Sequence, residues 1–348
     1  MKVLHVLNSR IYSGAEKVAS QIIRDFEDEM TLAYCSPESE MVEKMLAEQN
    51  IRYIPVKSLL PWNLRKVIRE EQPDLIHAHD MRATLIAALC CGKRPLISHI
   101  HNNAYDARGL TLKSIGYLYG GFKAKKIIWV SSSSFEGYFF HKLFAKKSTV
   151  LYNIIDEKQI FDKKAGDPAT YDYDMIYLGR LTYQKDPQRL IRLCARLRDR
   201  KPDIKVAIVG TGELDDEVKA LRDQLGLQEN VELLGFCANP MKMVADSKTM
   251  ILTSRWEGTP MCALEAMALG TPIVSTPSDG MKDLLENGVS GYLTDDDTIM
   301  TDAVLKIVTD PAHRQMLSHN ARETFRKIND VHKYKQAIAE CYYPEAEK

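Results

Sequence analysis

Short apolar runs alternate with stretches of helical periodicity along the whole chain. Runs at 3–7, 31–35, 75–78, 96–100, 127–130 and 149–151 read as strands, being short and bounded by polar residues. Between them, 16–26, 41–48, 64–70, 84–91 and 112–122 carry apolar side chains at helical spacing. A second series starts at 174, with strands predicted at 175–178, 205–209, 231–234, 250–253, 272–275 and 291–293. Helices such as 187–198 and 215–225 separate these. Strand–helix alternation implies parallel sheets with right-handed crossovers. Occurring twice, it predicts an α/β protein of two doubly wound parallel-sheet domains facing each other. The polar stretch 158–173, with Gly166-Asp167-Pro168, marks the boundary. Residues 1–165 are then the first domain and 166–330 the second. An amphipathic helix is predicted over 325–343, and the segment 331–348 is expected to pack back on the first domain.

The 348 residues, 45% hydrophobic and 27% charged, suit a globular protein with a core in each domain. Formal net charge is zero, which argues against nucleic acid as a partner. The first half is mildly basic and the second mildly acidic, compatible with an anionic partner of the first. Lysines 123, 125, 126, 142, 146 and 147 lie there among Tyr119, Phe122, Trp129, Phe139 and Phe144. The seven cysteines form no CxxC pair and several sit in apolar runs, which points to a reducing, cytoplasmic setting. Residues 1–9 read as a strand rather than a signal peptide. No run approaches the ~18 apolar residues of a membrane span. Any membrane contact is therefore expected to be peripheral, on the cytosolic face, through the N-terminal domain.

The candidate chemistry lies in loops that leave strands and enter helices, where open α/β sheets bind ligands. In RWEGTPMCALEAMALG, residues 255–270, Thr259 reads as an N-cap, Pro260 as the first helical residue and Gly270 as the stop. Glu265 is then a carboxylate inside an apolar helix, and Glu257 stands at the loop before it. A carboxylate in such surroundings must be paired, protonated or in contact with polar ligand. Two in this frame favour polyol recognition. In YLGRLTYQKDP, residues 177–187, Arg180 and Lys185 lie above a helix expected to be capped by Asp186, an arrangement suited to a diphosphate. The loop Gly210-Thr211-Gly212 follows a strand, but Asp215 stands where a dinucleotide fingerprint needs its third glycine. Gly14 lets backbone approach a ligand at the first helix. His77 and His79, and His99 and His101, are alternate residues on two strands. Such a pair suits a metal ligand set, or one member reaches the ligand cleft and the others pack.

The segment EGTPMCALEAMALGTPIVST resembles the E-x7-E segment of the retaining GT-B glycosyltransferases of family GT4, the glycosyl transferases group 1. LGRLTYQKDP is similar to that family's Gly-Arg…Lys loop, and NSRIYSGAEK to its first glycine-rich loop, with Ser13 for a frequent second glycine. LISHIHNN resembles the strand ending in an active-site histidine, here His101. LYNIID resembles the inter-domain Asn-Gly-x-Asp segment, with Ile154 where glycine is usual.

The resemblance implies a GT-B fold, two Rossmann-like domains facing across a cleft. It implies that Arg180 and Lys185 hold the donor diphosphate and stabilise the leaving nucleotide. Glu265 would accept from ribose hydroxyls. Glu257 would contact the donor sugar, with the backbone of Gly258, Thr259, Pro260, Met261 and Cys262 nearby. His101 would touch the sugar near its anomeric carbon, Gly14 the phosphates, and Gly210 and Gly235 the nucleobase. The implied activity is transfer of a hexosyl unit, with retained configuration and without metal or cofactor. The donor is a nucleoside-diphosphate sugar, UDP being favoured. The acceptor is a hydroxyl of a glycan or lipid-linked glycan, in surface polysaccharide biosynthesis. The alternatives are a nucleotide-sugar epimerase on the same fold, a silent nucleotide-binding protein, and a metal-dependent hydrolase using His77 and His79.

Overall fold

The computed structural model describes residues 1–101 and 105–343. The chain forms two compact units, one of Met1–Ile154 with the C-terminal segment from Val331, the other of Ile155–Asp330. The division thus falls eleven residues before the expected 165/166. The physical reason is helix Glu157–Ala165, which packs on helices Met241–Asp246 and Met261–Leu269 of the second unit. Ile155 and Ile160 are buried in that unit's core.

The first unit holds a seven-stranded sheet: β1 (Lys2–Val6), β2 (Thr31–Pro37), β3 (Tyr53–Val56), β4 (Leu75–His79), β5 (Leu96–Ile100), β6 (Lys126–Trp129) and β7 (Ser148–Val150). The strand order is β3-β2-β1-β4-β5-β6-β7, and every pair is parallel. The second unit holds β8 (Met175–Leu178), β9 (Val206–Val209), β10 (Val231–Gly235), β11 (Thr249–Leu252), β12 (Ile273–Ser275) and β13 (Gly291–Leu293). Their order is β10-β9-β8-β11-β12-β13, again all parallel. The architecture is therefore the expected pair of doubly wound α/β units. In each, strand order reverses once, between β1 and β4 and between β8 and β11. The inner strands are almost wholly buried, as parallel sheets require, while the edge strands β3, β7, β10 and β13 are partly exposed.

Two elements differ from the sequence reading. β3 was not predicted: it is four residues long, contains Pro55 and lies at the sheet edge, where a missing N–H is tolerated. The single helix predicted over 325–343 is two helices, Pro311–Ile328 and Val331–Tyr342. The break is built by Asn329, whose side chain accepts from Ile155 N at 2.9 Å and donates to Ile155 O at 3.0 Å. One residue therefore ties together the two chain segments adjoining the unit boundary. Beyond it, Tyr334, Ile338 and Tyr342 are buried in the first unit.

Candidate active site

In the second unit, the loops after β8 and β11 flank the point where strand order reverses. Tyr183–Lys185 makes a single 3-10 turn after β8. Asp186 follows with φ 50°, a left-handed conformation uncommon outside glycine, and Pro187 opens helix Pro187–Arg200. Asp186 stands at the N-cap position but its carboxylate does not cap the helix. It pairs instead with Arg255 at 2.8 Å, and the Arg255 guanidinium lies 4.4 Å above the Tyr183 ring. Thr253 Oγ1 donates to the carbonyls of Lys185 (2.9 Å) and Asp186 (3.1 Å). Arg255 N donates to Gln184 O, and Gln184 Nε2 returns a bond to Trp256 O. Residues 182–186 and 253–257 are thus fastened to each other along their lengths.

This fastening brings together two residues to which the sequence reading gave separate parts of the donor, Lys185 the diphosphate and Glu257 the sugar. Lys185 Nζ lies 2.5 Å from Glu257 Oε1, and Ser254 Oγ donates to the same oxygen at 2.5 Å. Glu257 is 4% exposed, so its charge is compensated by Lys185 rather than by solvent. An ammonium has three protons, and two of Lys185's are not used by Glu257. Arg180 is exposed and makes no ion pair among the described residues.

Helix Met261–Leu269 begins one residue later than predicted. Pro260, at ψ 115°, is the N-cap in place of Thr259, which is buried in the loop before it. The helix therefore directs its first amides and positive dipole end towards the loop 257–260. Gly270 ends it at φ 77°, as predicted, and Glu265 sits within it at 2% exposure. The glycine loops are constrained by backbone contact. A Cβ on Gly210, φ 137°, would lie 1.9 Å from Gly179 O, and Gly210 N donates to Gly235 O at 2.7 Å. The loops after β8, β9 and β10 therefore touch through main chain. Gly280, missed by the sequence reading, supports Gly258 in the same way: a Cβ there would lie 1.3 Å from Gly258 O.

In the first unit, Gly14 is the first residue of helix Gly14–Asp25. Ser13, the departure from the family pattern, has its own task. Its N–H and Oγ both donate to Glu16 Oε2 at 2.9 Å, a capping box. A concavity of about 190 Å³ opens between the β1 and β4 ends, lined by Asn8, Ser9, Glu16, His79, Asp80 and Arg82 among others. Asp80 is left-handed at φ 71°, and its Oδ1 accepts from His101 N at 3.0 Å.

His101 is not alone. His5 on β1, His77 and His79 on β4, His99 on β5 and His101 just after it form one buried cluster. Adjacent rings lie between 4.1 and 5.5 Å apart. Burial holds all five imidazoles below the usual histidine range, His5 and His101 down to about 3. Two triplets, His5–His77–His79 and His79–His99–His101, are close enough to take a metal ion. Hydrolysis at His77 and His79 conflicts with their placement: they are 0% and 1% exposed, with hydrogen bonds to Tyr342 and to His5 and His101. His5 and Tyr342 were missed. The signal was a histidine inside the apolar run 3–7; nothing local marks Tyr342.

Two doubly wound parallel-sheet units, one with a lysine–glutamate pair at its strand-order reversal, define the class of GT-B proteins. Residues 158–324 match the family of glycosyl transferases group 1, and 40–159 match glycosyltransferase family 4. The chain belongs to the group 1 glycosyltransferases. An uncharacterized glycosyltransferase of Methanocaldococcus jannaschii is 31% identical over 239 residues, 62% of this chain and 58% of that one. The N-acetylgalactosamine-N,N'-diacetylbacillosaminyl-diphospho-undecaprenol 4-alpha-N-acetylgalactosaminyltransferase of Campylobacter jejuni is 33% identical over 189 residues, 53% of this chain and 51% of that one. The chain thus spans little more than half the length of these two curated relatives. Anabaena HepE, solved in complex with UDP-glucose, shares the fold with TM-score 0.86 at 22% identity, covering 99% of this chain and 100% of that one.

Proposed function

We propose that this chain is a retaining, metal-independent glycosyltransferase. It moves a hexosyl unit from a UDP-sugar to a hydroxyl of a glycan or lipid-linked glycan, in surface polysaccharide biosynthesis. One observation carries the reading: the buried Lys185–Glu257 pair, beside the exposed Arg180, at the strand-order reversal of the unit that matches the family. Lys185 uses its remaining protons on the diphosphate while Glu257, fixed by Lys185 and Ser254, accepts from sugar hydroxyls. Arg180 adds a second cation where charge develops as the glycosidic bond breaks. Glu265 takes the ribose, and the amides of 258–262 line the sugar. Gly14 approaches the phosphates, His101 the anomeric region, and Gly210 and Gly235 the base. The acceptor hydroxyl attacks the face that the nucleotide leaves, and the departing phosphate takes its proton. The UDP complex of HepE and the lipid-diphosphate acceptor in the Campylobacter enzyme's name support the donor and acceptor classes.

The test is incubation with UDP-hexoses, with and without a polyisoprenyl-diphosphate-linked glycan, in EDTA, with the product's anomeric configuration read by NMR. Retained product that needs the acceptor is expected. An epimerised donor formed without acceptor, an inverted product, or activity abolished by EDTA each removes the corresponding part of the proposal.

Attachment to the cytosolic membrane face belongs to the same reading. Helix Leu112–Lys123 exposes Leu112, Ile115, Tyr119 and Phe122, a stripe at steps of three and four residues, with Leu112 at 92% exposure. Lys113, Lys123, Lys142 and Lys146 are exposed around it. No described helix is long and apolar enough to cross a membrane. An apolar stripe bordered by lysines suits an anionic lipid surface. The protein is expected to sediment with anionic liposomes, and Leu112→Asp with Phe122→Asp is expected to release it. Wild-type protein that stays in solution refutes attachment.

A further inference from the structure

The histidine cluster contains a continuous chain of hydrogen bonds. Tyr342 Oη lies 2.8 Å from His77 Nδ1 and 3.3 Å from His5 Nε2. His5 Nδ1 lies 3.0 Å from His79 Nε2, and His79 Nδ1 lies 2.7 Å from His101 Nε2. His77 Nε2 and His101 Nδ1, at the two ends, are buried with no hydrogen-bond partner among the described residues. From His77 the chain passes through Tyr342, on the last described helix, Val331–Tyr342, and ends on the histidine placed in the proposed site.

A neutral imidazole has one N–H and one lone pair. Each nitrogen–nitrogen contact needs one of each, so the tautomer of one ring dictates that of the next. With Tyr342 donating to one histidine and accepting from the other, two arrangements satisfy every contact; a third, in which Tyr342 accepts from both, leaves its own buried O–H unmet. In the first, His77 Nδ1–H donates to Tyr342, Tyr342 O–H to His5 Nε2, His5 Nδ1–H to His79 Nε2 and His79 Nδ1–H to His101 Nε2. His101 then carries its proton on Nδ1. In the second, every bond is reversed, and an N–H is left at His77 Nε2. Each arrangement leaves one terminal N–H unmet among the described residues, at His101 Nδ1 in the first and at His77 Nε2 in the second; His77 is 0% exposed and His101 9%, and an unmet donor costs more the deeper it is buried. His101 is at the strand end beside the Asp80 carboxylate, which favours the proton at that end.

We propose that Tyr342, His5 and His79 are positioning residues that lock His101 in the Nδ1–H tautomer, a hydrogen-bond donor at Nδ1. Tyr342 is the anchor, because its hydroxyl alone both accepts from His77 and donates to His5. This gives the return of the C-terminal helix to the first unit a purpose beyond packing. The kinetic consequence rests on the glycosyltransferase reading; the tautomer does not.

The test is long-range proton–nitrogen correlation NMR on the full chain with nitrogen-15 histidine, on wild type and Tyr342→Phe. The substitution keeps the ring packing against Phe26 and removes only the hydroxyl. In wild type, His101 is expected as the single Nδ1–H tautomer. In Tyr342→Phe, His101 is expected to show the Nε2–H form or a mixture. With an active donor, kcat should fall at least about tenfold while KM for the donor stays within about twofold. An Nε2–H His101 in wild type overturns the proposal, as does a spectrum unchanged by Tyr342→Phe. A changed tautomer with unchanged kcat removes the positioning role. A stoichiometric transition metal on His79 and His101 in purified protein would also overturn it. Should no donor be turned over, the functional reading fails while the spectra still decide the relay.

Discussion

Lowering the pH from about 7.5 to about 5.5 is expected to remove roughly 7 kcal/mol of the first unit's stability. The five clustered histidines stay neutral when folded, because burial holds their pKa values well below 6.5. In the unfolded chain each titrates near 6.5, so below that value the unfolded state binds about five more protons. Stability is therefore fully present above the unfolded pKa and falls as pH drops towards the folded values. Each proton contributes about 1.4 kcal/mol per pH unit once the unfolded side chain is charged. A unit of ordinary stability, about 5–15 kcal/mol, would then be close to unfolding near pH 5. Urea titrations at the two pH values, followed by hydrogen exchange in peptides from β4 and β5, measure the change. A loss below about 1 kcal/mol would mean that the cluster takes up protons while folded. His99→Leu should reduce the proton uptake by one, since neither ring nitrogen of His99 has a partner among the described residues.

Lys185→Ala is expected to lower kcat about 10²–10³-fold and to destabilise the second unit by about 3–5 kcal/mol. The activity loss follows from removing a cation at the departing diphosphate. The stability loss has a separate cause. Glu257 is left as a buried carboxylate that accepts from the Ser254 hydroxyl, and it lies in the loop fastened to 182–186. The double variant Lys185→Ala/Glu257→Gln removes that stranded charge. It should recover most of the stability and none of the activity. Chemical unfolding and steady-state kinetics on the two single variants and the double variant separate the two effects. Recovery of activity in the double variant would show that Lys185 serves only to neutralise Glu257. A Lys185→Ala protein as stable as wild type would mean that the pair is solvated.

Much of the fold was legible because its signals are local. Short apolar runs between stretches of helical period placed twelve of the strands near their observed positions, and Gly270 marked the end of helix Met261–Leu269 by the left-handed conformation that glycine tolerates. β3 was lost because Pro55 and a short length erase the strand signal that an edge position permits. The boundary moved to 154/155 because helix Glu157–Ala165 finds its apolar partners in the second unit, a choice that its own weak amphipathicity does not announce.

The candidate site divides in the same way. That Glu257, Lys185 and Arg180 lie in strand-to-helix loops is legible locally, because caps, prolines and apolar runs are written in consecutive residues. The contact between Lys185 and Glu257, 72 residues apart, exists only once the chain is folded. The same holds for His5, His79 and His101, which are joined to a tyrosine 337 residues from His5. Neither pairing leaves a local trace, because each arises where sheet register and loop packing bring distant backbone together, and a side chain's nearest charge is then set by the neighbouring strand rather than by the neighbouring residue.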